Sequence, residues 1–205
     1  MSAPPLIHVV EDDDSLRSAL LRLLAAAGYA ARGYASAGEF LLDPPPEGPG
    51  CLLLDLRLPG PSGLDLQEAL ERRGLTLPVV FMTGHGDVAA GVRAMKAGAV
   101  DFLTKPVKRE VLVEALGRAL ARDAAQRLAQ GEAQRLRERF ATLKPRERAV
   151  FEQVVAGRLN KQIADALGVS ERTVKLERAQ VMAKLGVASS AELGRLAERL
   201  RHLGG

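Results

Sequence analysis

The sequence predicts an α/β fold, a five-stranded doubly wound parallel sheet, followed by a small all-α domain of four helices. Three observations carry this. Short, fully apolar runs alternate with helical patterns five times over residues 1–120, and strands apolar on both faces belong to parallel sheets covered by helices on both sides. From Pro145 onward every segment reads as helix. The charge also changes sign along the chain: residues 1–120 hold 12 Lys+Arg and 15 Asp+Glu, whereas residues 121–205 hold 17 and 10. An acidic front and a basic back imply two modules with different partners, the back one facing a polyanion or merely presenting a solvated basic surface.

Leu6 to Val10 reads as the first buried strand. Ser15 to Ala27 is a helix with Leu16, Leu20, Leu23, Leu24 and Ala27 on one face, closed by Gly28. Tyr29 to Tyr34 is a weak strand, and Ala37 to Leu42 a short helix before Pro44-Pro45-Pro46. Strands at Cys51 to Leu54, Pro78 to Met82 and Val100 to Thr104 follow. They alternate with helices at Leu64 to Arg73, Val88 to Ala97 and from Val107 onward. Residues 121–139 either continue this fifth helix through Leu128 and Leu136 or form a flexible charged linker, Gly131 weighing against an unbroken helix. Pro145 suits the first position of the next helix, and Gly157 its end. Asn160 caps Lys161 to Leu167, Ser170 caps Glu171 to Leu185, and Ser189-x-x-Glu192 forms a capping box for a helix to about Leu203.

No apolar run approaches the roughly 18 residues that cross a bilayer, and Met1 to Pro5 carries no basic-then-apolar leader. The expectation is a cytoplasmic protein without a membrane partner. The single cysteine, Cys51, reads as a buried thiol. His8, His85 and His202 share no metal-ligand spacing.

Ligands of such sheets bind beyond the carboxyl ends of the strands. Polar residues gather there: Glu11-Asp12-Asp13 after strand one, Asp55 at the end of strand three, Thr83 after strand four, and Lys105-Pro106 after strand five. Each alone is an ordinary turn or cap residue; their joint placement carries the reading. Glu11, Asp12 and Asp55 repel one another unless a cation bridges them, and hard oxygen donors suit Mg²⁺. Asp55 can then act as a nucleophile on phosphorus, with Lys105 and the Thr83 hydroxyl contacting phosphoryl oxygens. A dehalogenase-type phosphatase needs Asp-x-Asp, and Arg57 stands at its second position.

These motifs, Val9-Val10-Glu11-Asp12-Asp13, Asp55-Leu56-Arg57-Leu58-Pro59-Gly60, Thr83-Gly84-His85-Gly86-Asp87 and Asp101-Phe102-Leu103-Thr104-Lys105-Pro106, resemble the receiver domain of two-component response regulators. The resemblance implies a flavodoxin-like sheet of order 2-1-3-4-5 over residues 1–120. It implies phosphoryl transfer from a histidine kinase to Asp55, with Mg²⁺ held by Glu11, Asp12, Asp55 and the Arg57 backbone carbonyl. Thr83 and Phe102 would form the switch pair. Glu11 stands where the family more often has Asp.

Lys161 to Lys184 has the length of a DNA-binding helix-turn-helix. Val174, Val181 and Leu185 share the inward face of its second helix; Arg172, Lys175, Leu176 and Ala179 lie on another, with Arg178 beside it. Arginine and lysine suit guanine edges and phosphates, and Leu176 a thymine methyl. Leu143-Lys144-Pro145-Arg146-Glu147-Arg148, Ala156 to Ala164, Val169 to Lys175 and Ala183 to Val187 resemble the LuxR-type, or GerE-type, helix-turn-helix domain over residues 140–205. Residues 121–139 are then the linker. Together the modules resemble a NarL/FixJ-class response regulator of the FixJ-like branch. The residues assigned to DNA are Lys161, Arg172, Thr173, Lys175, Leu176, Arg178 and Lys184. The resemblance implies promoter DNA, a histidine kinase and RNA polymerase as partners, a homodimer on phosphorylation, and regulation of transcription rather than an enzyme activity. The alternative is a receiver acting through protein contacts beside a vestigial DNA module. Two departures stand out. Lys144 replaces the usual Ser or Thr cap, and Glu177 replaces a usual His, facing an arginine of the first effector helix or a cytosine amino group.

Overall fold

The computed structural model describes residues 4–42, 48–84 and 88–203. His85, Gly86 and Asp87 of the loop motif, and Pro44-Pro45-Pro46, lie outside the described residues. Backbone contacts divide the chain into two compact units, Met1–Arg127 and Leu128–Gly205.

The first unit runs β1 (Leu6–Val10), α1 (Asp14–Ala26), β2 (Ala30–Tyr34), α2 (Ala37–Leu42), β3 (Gly50–Asp55), α3 (Gly63–Arg72), β4 (Val79–Thr83), α4 (Val88–Lys96) and β5 (Asp101–Thr104), and then enters α5 (Arg109–Ala141). The five strands form one sheet of order β2-β1-β3-β4-β5. All the strand pairs are parallel. Ends differ from the expected ones by a residue or two. The alternation of the strands sorts their apolar residues between two cores. Val10, Leu52, Leu54 and Phe81 pack with Phe40, Leu66 and Ala94 of α2–α4. Ile7, Val9, Leu53 and Met82 pack with Leu20 and Leu24 of α1 and with Leu112 and Leu116 of α5. Cys51 is fully buried, and burial, then the nearby Asp123 charge, pushes its thiol pKa up to about 12.

Residues 121–139 lie wholly within α5, and Gly131 does not interrupt it. A glycine costs a helix only about 1 kcal/mol, which the flanking Ala, Gln, Leu, Arg and Glu offset. The first unit also extends past residue 120. Asp123 is buried, accepts the Gly50 N–H at 3.0 Å and pairs with Arg127 at 2.8 Å, while Arg127 reaches the Gly48 carbonyl.

His8 is buried on β1, with Nδ1 3.1 Å from the Tyr34 hydroxyl and its ring edge-on to Phe40. Burial, then the Arg32 charge, lowers its pKa from 6.5 to about 4. The unfolded chain therefore takes up a proton below pH 6.5 that the folded chain refuses. This contribution to stability is complete above pH 6.5 and is lost as pH falls towards about 4. Melting temperature should fall from pH 7 to pH 5, and His8→Asn should flatten the dependence. An unchanged slope in the variant would remove His8 as its cause.

The second unit continues through the end of α5 to α6 (Pro145–Val155), α7 (Asn160–Leu167), α8 (Glu171–Leu185) and α9 (Ser190–Leu203). Val150, Phe151, Ile163, Val174, Val181, Leu185 and Leu193 form its core. Ser170 caps α8 as expected, accepting the Thr173 N–H at 3.1 Å. Asn160 does not cap α7. It is the helix's first residue, and Leu159 is the N-cap. The Leu159 N–H donates to Gln162 Oε1 at 2.9 Å. At α6, Lys144 offers no side-chain cap, and Glu147 accepts the Lys144 N–H at 2.7 Å. At α9 the Ser189 hydroxyl accepts the Glu192 N–H at 3.1 Å, but the Glu192 carboxylate turns to the Ala188 N–H at 2.8 Å, one residue earlier than the expected box.

Candidate functional site

β1 and β3 are hydrogen-bonded neighbours whose connections leave in different directions, so their carboxyl ends open onto the switch point. The Glu11-Asp12-Asp13 run divides there into three roles. Glu11 is 1% exposed and turns inward, Asp12 is exposed, and Asp13 is the N-cap of α1, accepting from Ser15 N at 2.8 Å and Leu16 N at 2.9 Å. Asp55 ends β3 at 6% exposure. Carboxylate oxygens of Glu11, Asp12 and Asp55 lie within 4.8 Å of one another. An all-oxygen, trianionic set with one member open to solvent fits a hard divalent cation that keeps part of its water shell.

Lys105 bridges the buried pair. Its Nζ lies 2.7 Å from Glu11 Oε2 and 2.6 Å from Asp55 Oδ2. The other Asp55 oxygen accepts the Arg57 N–H at 3.0 Å. Burial, reinforced by the Asp55 charge, raises the Glu11 pKa above the usual carboxylate value, against the opposing pull of Lys105. For Lys105, burial works to lower the pKa, but the hydrogen bonds and charges of Asp55 and Glu11 outweigh it and hold it above the ordinary lysine value. Thr83 is fully buried at the end of β4, and its carbonyl accepts the Lys105 N–H at 2.7 Å. The backbone that carries Lys105 is thus pinned to the strand that carries Thr83.

Two positioning residues, Arg17 and Gly63, were not singled out from the sequence, nor was the glycine that Phe102 packs against. Arg17 of α1 donates to the Glu11 carbonyl at 2.6 Å and the Asp12 carbonyl at 3.4 Å, and pairs with Asp14, fixing the acidic loop from behind. Gly63 opens α3 where an added Cβ would stand 2.4 Å from the Asp55 carbonyl, so only glycine lets that helix begin so close to β3. Phe102 is half-buried, and its ring lies against Gly91 of α4, where an added Cβ would meet it at 2.9 Å.

In the second unit, Lys161, Arg172, Lys175 and Leu176 are exposed, Leu176 at 60%. Thr173 is half-buried, its hydroxyl 2.9 Å from Ser170 Oγ. Two of the expected DNA contacts are occupied within the unit. Arg178 donates to Asn160 Oδ1 at 3.1 Å and to Ser190 Oγ, joining α7, α8 and α9. Lys184 lies 2.5 Å from Glu147 Oε2 and donates to the Thr142 carbonyl at 3.2 Å. Glu147 is 1% exposed. The Lys184 bond, with the Lys144 N–H, holds its carboxyl below the ordinary value. The long side chains of Arg178 and Lys184 leave the helix face their sequence positions indicate, because a buried carboxylate and unsatisfied polar oxygens lie within reach. Glu177 is half-buried, and among the described residues it forms no ion pair with an arginine.

Comparison with known proteins agrees with this division. Residues 7–117 match the family described as response regulator receiver domain, and residues 141–197 match bacterial regulatory proteins, luxR family. The chain is 45% identical over 199 residues to Nodulation protein W of Bradyrhizobium diazoefficiens, covering 97% of this chain and 88% of that protein. It is 44% identical over 191 residues to the transcriptional regulatory protein FixJ of Azorhizobium caulinodans, covering 93% and 90%. Among solved structures it resembles the response regulator StyR at a TM-score of 0.86 and 43% identity, over 96% of this chain and all of that one. Full-length FixJ from B. japonicum matches at 0.60 and 38% identity, over 98% and 99%. No described helix is long and apolar enough to cross a membrane. Receivers of this family bind Mg²⁺ at an acidic pocket of the kind found here, and the family regulates transcription rather than catalysing turnover. The two matched regions cover most of the chain, and the relatives align with it along most of their own length: the protein is a two-component response regulator joining a receiver to a LuxR-type DNA-binding domain.

Proposed function

We propose that Asp55 accepts a phosphoryl group from the phosphohistidine of a histidine kinase, and that this favours a receiver-mediated homodimer with raised affinity for promoter DNA. The observation that carries the reading is the clustering of Glu11, Asp12 and Asp55 with Lys105 bridging the two buried members. A carboxylate oxygen of Asp55 forms the bond to phosphorus as the phosphorus–nitrogen bond to the kinase imidazole breaks. The leaving nitrogen takes the electron pair, and a proton from water returns the imidazole to its neutral form. Lys105 holds positive charge where the phosphoryl oxygens arrive, and the Thr83 hydroxyl is the neighbouring donor for another. Glu11, Asp12, Asp55 and the Arg57 carbonyl would hold Mg²⁺, which when bound neutralises charge on the transferring group.

The change would be read at Phe102 and α4, with Thr83 drawn to the phosphoryl group and the ring turning inward. Gel-shift titration of the full chain on its promoter, with and without Mg²⁺ and an acyl phosphate, tests the whole reading. Binding should tighten on phosphorylation, and identical curves would overturn it. RNA polymerase at that promoter would be the final partner.

The DNA face follows from which cations are free. Lys161, Arg172 and Lys175 are exposed, so log affinity should fall with log salt by about 0.9 for each phosphate neutralised. Lys175→Ala should cost about 1–3 kcal/mol on operator DNA and relax specificity at one base position if it reads a base. Equal losses on operator and random DNA would make it a phosphate anchor instead. Lys184→Met should lower the melting temperature while leaving the salt slope in place, because its partner is Glu147. A reduced slope with unchanged melting would return Lys184 to the DNA face.

A further inference from the structure

The octet Glu-x-x-Arg-Leu-x-Glu-Arg occurs twice in the second unit, at 132–139 on α5 and at 192–199 on α9. In a helix its first, fourth, fifth and eighth residues share one face. Those residues of both octets line a single groove of about 450 Å³, whose end is formed by Leu185, Gly186 and Val187. The two helices pass antiparallel. At one end Arg199 Nη2 lies 3.3 Å from Glu132 Oε2, and at the other Arg139 Nη1 lies 3.0 Å from where a Cβ on Gly186 would stand. Arg135 and Arg195 occupy opposite walls between those ends. The symmetry-related pair, Arg139 with Glu192, does not form, because the Glu192 carboxylate accepts the Ala188 N–H at 2.8 Å instead. Arg135, Arg139 and Arg195 are exposed, and among the described residues they form no ion pair.

We propose that this groove is an anion site that takes the diphosphate of a nucleotide. Four arginines against two glutamates leave it two positive charges. The three unpaired guanidiniums offer N–H forks that match phosphate oxygens bidentately. Buried Leu136 and Leu185 and half-buried Leu196 give the groove an apolar floor. A bare phosphate leaves that floor wet, whereas a nucleobase covers it and can stack on a guanidinium plane. The volume falls within the range of small-molecule sites. Gly186 stands eleven residues after Lys175, at the far end of α8, which is about 16 Å at the rise of an α-helix. The groove is therefore separate from the exposed cations assigned to DNA, and an occupant would fasten the ends of α5 and α8 to α9.

Amide spectra of the full-length ¹⁵N-labelled chain, titrated at fixed salt with ADP, pyrophosphate and adenosine, test this. EDTA is present, so that no metal–nucleotide complex enters the acidic pocket of the receiver. ADP should give saturable shifts at Gly186, Val187 and Leu196, pyrophosphate the same shifts at several-fold weaker affinity, and adenosine none. Arg135→Gln and Arg195→Gln, both exposed changes, should each weaken ADP at least ten-fold while operator affinity is kept. Lys175→Gln should weaken operator binding and leave ADP unaffected. The proposal is overturned by the absence of saturable ADP shifts, by shifts centred on Arg172 and Lys175, by ADP binding no tighter than pyrophosphate, or by unaltered ADP affinity in the two arginine variants.

Discussion

Incubated with Mg²⁺ and acetyl phosphate, the chain should gain one phosphoryl group, on Asp55, and Asp55→Asn should gain none. The effect is all-or-none because an amide offers no carboxylate oxygen to phosphorus. The substitution keeps the shape of the side chain, and an unchanged melting curve separates loss of the product from loss of the fold. The amide oxygen can still accept from one of the two donors that face Asp55, Lys105 Nζ at 2.6 Å or the Arg57 N–H at 3.0 Å. Asp12→Ala should raise the Mg²⁺ concentration needed by at least about 10–100-fold, the loss that removing a mere outer-shell partner of a metal ligand already causes. Asp12 is the exposed member of the cluster, so its removal costs little stability. Lys105→Ala should still permit slow phosphorylation but weaken its transmission, since the Lys105 ammonium also ties Glu11 to Asp55. Intact-mass and peptide mass spectrometry read all three. A phosphoryl group on another residue of the chain would sink the assignment.

The pocket was legible in the sequence because a strand end is a one-dimensional property. Glu11, Asp55, Thr83 and Lys105 adjoin apolar runs, and a parallel sheet places all such ends on one edge. The two-faced burial of β1 and β3 was legible for the same reason. What the sequence concealed was the direction of long side chains. Arg178 and Lys184 share a helix with Arg172 and Lys175, yet they turn to Asn160, Ser190, Glu147 and the Thr142 carbonyl. Their partners lie 12 to 42 positions away, and no local spacing announces them. Arg17 was concealed because its acceptors are backbone carbonyls. Asn160 misled because a good capping residue stood one position late: the cap of α7 is made by Gln162 reaching back to the Leu159 N–H, and Asn160 was left to hold Arg178.

Phosphorylation should convert the chain to a dimer and raise its affinity for a two-half-site operator by about 5- to 150-fold, the range of a coupling of 1–3 kcal/mol. The surface available for this is on α4. Val92 and Met95, three residues apart on one helix face, are 49% and 46% exposed beside Gly91 and Phe102, and adjacent exposed apolar side chains mark contact surfaces. The phosphoryl group touches few residues directly, so the Phe102 ring and α4 are the nearest elements able to turn those contacts into a changed surface. Joining two DNA modules makes the second binding event intramolecular, which raises affinity without any new base contact. Met95→Glu should therefore leave Asp55 phosphorylation intact, abolish the dimer, and return DNA affinity to the unphosphorylated level. Gly91→Ala should act in the opposite sense. Its methyl group would stand 2.9 Å from the Phe102 ring, so the ring must leave that position, and dimer should form with less phosphorylation. Sedimentation of the three proteins with and without acetyl phosphate, beside operator titrations at fixed salt, separates the outcomes. A fully phosphorylated monomer that binds its operator tightly would refute the mechanism, and a Gly91→Ala chain that dimerises no more readily than the parent would remove Phe102 from the switch.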